Sequence, residues 1–391
     1  VLGVKYGAID NCFQREGEEP KKFPLGIAHY LEHKLFESEE GDAFARFAKT
    51  GASANAYTGF ETTSYVFSCT QRLYDSLEIL LDFVQSPYFT EETVAKERGI
   101  ITQEIKMYDD MPGWRVMLEY LKAMYHAHPV REDAAGTVDS IGEITAGRLY
   151  SCYEAFYNPA NMVLVVCGRF QPERVLSICD RMFMGREQRP VRRILPQEPV
   201  GIVKSRVENY LPVAMPVFQF GYKEDGAGRR TEDDLAAVNA LLFILASDSS
   251  PMFRRLMDEG LINDSSFSYQ YFEGTGYANI MFGGESRDPD MAAEIIAEEL
   301  RRLRQEGIAE EDFLRAKRSL YGDCVAAQNS AGVIAGWVSD FALAGLEMFK
   351  YIDALAELEL EKVREKLSAL EESRSVLSII WPLEKRKDES L

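Results

Sequence analysis

Residues 41–68, GDAFARFAKTGASANAYTGFETTSYVFS, and residues 249–282, SSPMFRRLMDEGLINDSSFSYQYFEGTGYANIMF, read as one unit written twice. Each holds a short helix, a glycine that stops it, and two alternating strands around a turn. In the first copy the helix is expected over 42–49, Gly51 breaks it, and Thr58-Gly59 turns the hairpin. Two further stretches repeat in the same order. TEETVAKERGIITQE (90–104) aligns with AEEDFLRAKRSLYGD (309–323), so that Glu97 falls opposite Ala316 and Glu104 opposite Asp323. NMVLVVCG (161–168) aligns with SRSVLSIIWP (373–382). Three matches in one order, roughly 200 residues apart, describe a duplicated domain and not a solenoid of short repeats.

The length of 391 residues fits, because single cores usually stop growing well below it. The expected fold class is α+β: two homologous domains, each a mostly antiparallel sheet covered by helices. Outside the hairpin, the patterning predicts strands at 2–9 and 162–167 and helices at 25–36, 71–85, 91–109, 114–125, 146–156 and 172–182. Residues 185–201, GREQRPVRRILPQEPVG, carry three prolines and clustered arginines, as a linker does. The expected boundaries are a first domain at 1–185, a linker at 186–200 and a second domain at 201–391.

Hydrophobic residues at 46% and charged residues at 27% describe a folded globular chain and exclude disorder and collagen-like repeats. A net charge of -19 leaves no basic face for nucleic acid and sets the chain against anionic membrane surfaces. The longest apolar run, 241–246, is far shorter than the ~20 residues of a membrane span. Six cysteines without a CxxC pair are expected as buried reduced thiols, Cys167 in MVLVVCG among them, which favours a reducing, cytoplasmic setting. The sequence opens on Val1 without an initiator Met, and its natural start is expected upstream.

Histidine is scarce: His29, His33, His126 and His128, all in the first half. In LGIAHYLEHKLFE (25–37), Ile27, Leu31 and Leu35 share one helical face, which should pack inward. His29 and His33, four apart, project together from another face with Glu32 beside them. Two imidazoles converging on a cation, with an adjacent carboxylate as base, is the geometry of a catalytic zinc site; the order HxxEH reverses HExxH. A third ligand must come from elsewhere, and Glu97 and Glu104 in ERGIITQE lie two turns apart on one face. Ile100, Ile101 and Ile105 make much of that helix apolar, so at least one of the carboxylates lies near buried surface and needs a cationic partner. His126 and His128 are read as structural, with Pro129 shaping a loop.

HYLEH with Phe36 beyond it, the distal pair ending at Glu104, and the stretches ASANAYT, HPVREDAAGT and YNPANMVLVVCG together resemble the insulinase/pitrilysin family of zinc metallopeptidases, the inverzincins. The compact bacterial processing-peptidase-like branch, whose chains hold two such domains, is the part of the family most like it. The resemblance implies that His29, His33 and Glu104 bind one zinc ion per chain. It implies that Glu32 is the general base, with Glu97 the carboxylate that supports the site. Asn55, Ala56 and Thr58 match the edge strand against which an extended substrate pairs. The implied activity is a zinc-dependent endopeptidase cutting short or unfolded peptides inside a closed chamber. Two such chains form that chamber, as a homodimer or as a heterodimer with a related chain. The strong negative charge adds an expected preference for basic peptides.

The rival reading is a non-catalytic binding or assembly subunit of a paired processing peptidase. Such members lose HxxEH or the distal glutamate, and this chain keeps both. Many relatives also carry an Arg and a Tyr in the second domain, whereas MDEGLINDSSFSYQY (257–271) lacks both at the expected spacing. Arg254, Arg255, Tyr269 and Tyr271 are the nearest candidates.

Overall fold

The computed structural model describes residues 1–39, 41–183, 190–226, 228 and 230–384. Residues 186–189 of the expected linker and the charged tail from 385 lie outside the described residues. The first hairpin pairs Ser53–Thr58 with Thr63–Ser68, Thr58 standing opposite Thr63 at the turn. Before it, Ala43–Thr50 is a helix capped by the Asp42 side chain and ended by Gly51 in the left-handed region. The hairpin extends into a four-stranded antiparallel sheet in the order Ser53–Thr58, Thr63–Ser68, Leu2–Val4, Met162–Leu164. Leu2, Val4 and Tyr65 from its core face join Leu31 and Leu35, Leu77 and Leu81, and Leu149 and Phe156 from three helices in one buried cluster. Each such side chain contributes about 1.5–3 kcal/mol of burial, which is what holds the helices to the sheet.

The second sheet has five strands, in the order Arg206–Leu211, Ser375–Pro382, Val217–Lys223, Tyr277–Glu285, Ser268–Gly274. Read from its hairpin, the last four repeat the order of the first sheet: hairpin, the strand that opens the copy, then the strand that closes it. Arg206–Leu211 is added beyond them, parallel to Ser375–Pro382. The duplication seen in sequence is therefore a duplication of topology. Glu232–Asp258 is apolar and long enough to suit a membrane by composition, unlike the shorter run noted above, yet most of it is buried as core of the second unit.

The two compact units are not the contiguous halves 1–185 and 201–391. One comprises 1–106, 132–195 and 327–346; the other comprises 107–131, 196–326 and 347–391. Within the expected linker the division falls between Leu195 and Pro196. Each half of the sequence thus supplies one helix to the other copy's sheet. Pro112–Met124 buries Val116, Tyr120, Leu121 and Met124 over the second sheet, and Ala331–Ala344 lies over Leu2–Val4 and Met162–Leu164 of the first. Both helices need a closely approachable strand, and a glycine provides it. A Cβ on Gly3 would overlap Leu343 and Ser339, and one on Gly221 would overlap the Tyr120 hydroxyl and the Ile280 carbonyl. Sequence order is a poor guide here because an apolar helix face is satisfied by any complementary sheet within reach of its loop.

A buried ion pair ties chain segments together within the second unit. Lys223 Nζ lies 2.7 Å from Glu198 Oε1 and donates to the carbonyls of Met124, Pro199 and Gly201. Glu198 in turn accepts the backbone N–H groups of His126, Ala127 and His128 at 2.8–2.9 Å. Burial works against its charge, but Lys223 and these three donors hold its pKa down to about 2. His128 is buried with Nε2 2.9 Å from the Thr275 carbonyl while Nδ1 accepts from Val130, so both ring nitrogens are used. His126 and His128 lie within 107–131, so the second unit holds two of the histidines that the first half of the sequence carries.

Candidate metal centre

The motif helix runs over Ile27–Leu35, and its inner face buries Ile27, Leu31 and Leu35 as the periodicity predicts. Gly26 starts it at φ 81, where a side chain is strained and would also overlap the Ala135 carbonyl in the HPVREDAAGT stretch. The Tyr30 hydroxyl donates to the Val94 carbonyl and so fastens this helix to Glu91–Asp109. That second helix buries Val94, Ile101 and Ile105, whereas Ile100, also counted among its apolar residues, is 52% exposed. One step of about 100° separates Ile100 from Ile101, enough to carry it off the buried stripe. Glu97 and Glu104 flank that stripe and face the two histidines.

His29 Nε2 lies 3.6 Å from Glu104 Oε1, and His33 Nε2 lies 3.4 Å from Glu104 Oε2. One ligand atom from each of these three residues falls within 4.8 Å of the other two. His33 Nδ1 is 3.0 Å from Glu97 Oε1, which fixes the ring so that Nε2 points inward. His29 Nδ1 is buried without a hydrogen-bond partner among the described residues, so its Nε2 carries the useful contact. Two imidazole nitrogens and a carboxylate oxygen form a donor set that suits zinc with a fourth position left for solvent or substrate, and the residues present fit the ion that the sequence implies.

Electrostatics points the same way. Burial opposes charge on His33, but its hydrogen bonds to Glu104 and Glu97 outweigh this and raise its pKa to about 10. Hydrogen bonds to His29 and then His33 hold Glu104 far below the usual carboxylate range, and the bond to His33 lowers Glu97. The three-residue cluster is therefore arranged to hold positive charge. Glu32 differs. It is 7% exposed, and burial raises its pKa against the pull of both histidines and of a hydrogen bond from Thr58. A carboxylate shifted upward beside a cation site is suited to taking and returning a proton.

Ser53–Thr58 is the outer strand of its sheet, so its far edge has no partner strand among the described residues. Ala54 and Ala56 pack against the core, while Asn55 and Tyr57 face the other way. Asn55 Oδ1 accepts the Ala56 N–H at 2.9 Å. The Thr58 side chain is turned to Glu32, a contact absent from the expectations above and compatible with backbone pairing of a substrate at this strand. Nothing local announces it, since the two residues lie on different elements.

Two of the second-unit candidates have partners within their own unit. Arg255 pairs with Glu259 and Glu298, and Tyr271 donates to Glu224 and accepts from Arg230. The cysteines are unbridged; Cys152 and Cys324 are buried as expected, but Cys167 is exposed because pairing with Leu2–Val4 ends at Leu164.

Comparison with known proteins gives the family. Residues 18–138 match the model of the insulinase family, peptidase family M16, and residues 143–320 match that of the peptidase M16 inactive domain. The uncharacterized zinc protease YmfH of Bacillus subtilis is 40% identical over 372 residues, covering 93% of this chain and 86% of the relative. The uncharacterized zinc protease SCO5738 of Streptomyces coelicolor is 24% identical, covering 93% of this chain and 82% of its own. Among solved structures, an M16-like peptidase from Alicyclobacillus acidocaldarius superposes with a TM-score of 0.93 at 37% identity, over 97% of this chain and 92% of that one. Pitrilysin shares the fold, with a TM-score of 0.74 at 16% identity over 97% of this chain and 42% of its own. The identity to YmfH over nearly the whole length settles the assignment: this chain belongs to the insulinase family, peptidase family M16.

Proposed function

We propose that the chain is a zinc-dependent endopeptidase acting on short or unfolded peptides. The observation that carries this reading is the convergence of His29, His33 and Glu104 with Glu32 beside them, next to an unpaired strand edge. His29, His33 and Glu104 would hold the ion, which supplies Lewis-acid chemistry, acidifying water and polarising a carbonyl. Glu97 keeps the His33 ring in the orientation that binding requires. Glu32 takes the proton of the attacking water and returns it to the nitrogen of the leaving amine, so no covalent bond between chain and substrate forms. The backbone of Ser53–Thr58 offers its outward N–H and C=O groups to an extended peptide, which is why a folded substrate is a poor fit. A peptide carbonyl that pairs with the Ala56 N–H has to displace Asn55 Oδ1 from it.

The test uses the purified chain with a quenched peptide library. Cleavage should stop on chelation, return with added zinc, and be absent in His33→Ala, which should also fail to retain zinc. A chain that holds zinc and leaves every unfolded peptide intact would turn the reading towards the non-catalytic subunit.

A further inference from the structure

Thr58 ends the edge strand, yet its hydroxyl does not serve that edge. Thr58 Oγ1 lies 2.9 Å from Glu32 Oε2 and 3.4 Å from Thr63 Oγ1. Thr63 is fully buried, and its hydroxyl is 2.9 Å from the Tyr6 carbonyl. A carbonyl only accepts, so the Thr63 proton is committed to Tyr6. Thr58 is left with two acceptors, and the carboxylate is both nearer and stronger. The Thr58 hydroxyl therefore donates to Glu32 Oε2.

The donor is itself held firmly. Thr58 pairs with Thr63 across the hairpin, and the turn is closed by the Gly59 N–H to the Thr62 carbonyl at 2.8 Å. Glu32 is nearly buried, so a carboxylate free to rotate there would lack a fixed hydrogen-bond donor for either oxygen. With Oε2 bound, the carboxylate has one orientation. We propose that Thr58 is a positioning residue for Glu32: its hydroxyl holds Oε2 and leaves Oε1 to receive the proton of the attacking water. Because Thr58 stands on the strand proposed to register the substrate, one hairpin sets both the peptide's position and the base's orientation. Thr58 thus acts through Glu32 and not as a side-chain contact to the peptide. This role rests on the hydrolytic reading above.

Thr58→Val removes the donor at nearly constant volume, Thr58→Ala is the alternative should Val disturb the hairpin, and Thr58→Ser keeps the donor. Losing a hydrogen bond to a charged group should lower kcat about tenfold or more in the Val or Ala variant, with KM within about twofold of wild type. Thr58→Ser should restore kcat to within about threefold. Zinc affinity, measured by competition with a chromophoric chelator, should stay within about twofold in all three, because Thr58 touches no ligand atom. An unchanged kcat in Thr58→Val and Thr58→Ala, a rise in KM alone, an equal loss in Thr58→Ser, or a fall in zinc affinity would each overturn the positioning role. If wild-type chain with bound zinc cleaves nothing, the hydrolytic reading fails and takes this role with it; cleavage by wild type with any of the preceding outcomes defeats the role alone.

Discussion

In the first unit the helix beside the hairpin, Ile27–Leu35, buries one face and turns His29 and His33 to the other, whereas its counterpart in the second, Glu232–Ala246, is apolar and buried nearly all round. The next correspondence runs the same way. Glu91–Asp109 brings Glu97 and Glu104 to the histidines, while Glu310–Ala327 has Ala316, fully buried, where Glu97 stands, and an exposed Asp323 where Glu104 stands. Four strands follow the same order in both. A shared scaffold thus leaves two partly exposed histidines on an otherwise buried helix in one copy and apolar core at the corresponding place in the other. Ligands require a helix face kept out of the core, and a copy without ligands is free to bury that face.

If that division holds, chemistry can be removed from the first unit without unfolding it, and stability from the second without touching the metal. The largest expected effect is on Glu32→Gln, which should lower kcat by about a thousandfold or more while zinc content and thermal midpoint stay as in wild type. Cleavage near the wild-type rate in a metal-replete sample would remove Glu32 as the base. Next comes Glu198→Gln in the second unit, which leaves Lys223 buried beside a neutral amide and should cost about 3 kcal/mol in denaturant unfolding, with zinc affinity unaltered. The pH dependence has a definite sign. Glu198 has its pKa lowered from 4.5 to about 2, so its contribution is present above 4.5 and is lost as pH falls through 2. Stability measured down an acid series should fall less steeply in Glu198→Gln than in wild type; parallel slopes would show that this carboxylate is not the group that matters.

A smaller effect is expected for Glu97→Gln, which weakens the hold on the His33 ring and should reduce zinc affinity about 10–100-fold by chelator competition. Asp323→Asn, at the corresponding place to Glu104 in the other copy, should leave zinc affinity unchanged, and any loss there would break the comparison. The smallest effects fall on the paired glycines. Gly3→Ala and Gly221→Ala should each destabilise by about 1–3 kcal/mol, through overlap with the covering helix and, at Gly221, with the backbone as well. If Gly3→Ala is neutral in thermal unfolding, Ala331–Ala344 does not pack on that strand as closely as described.

The legible part of the site was the part written in a single helical period. His29, Glu32 and His33 are within one turn of each other, and Glu97 with Glu104 are two turns apart, so helix geometry alone groups them. That His33 takes both Glu97 and Glu104, on opposite ring nitrogens, was not legible, because it depends on how two helices cross. The Thr58 hydroxyl shows the same limit: its partner lies 26 residues away on another element. Periodicity also overreached. It counts Ile100 among the residues that make its helix apolar and Cys167 as buried, and the helix register and the end of strand pairing leave both exposed.

By itself the sequence determined the duplicated α+β architecture, the hairpins and a pair of histidines with two candidate glutamates for a metal, because each of these follows from local period, turn chemistry or spacing; the choice of Glu104 among the glutamates came from the family resemblance. Only the tertiary structure decided which sheet each of the helices Pro112–Met124 and Ala331–Ala344 covers, and so in which unit His126 and His128 reside. It alone decided that Thr58 faces Glu32 and that Glu198 meets Lys223. The physical reason is common to these cases: a buried face or a buried charge is satisfied by whatever complementary group the folded chain brings near, and sequence separation does not limit that choice.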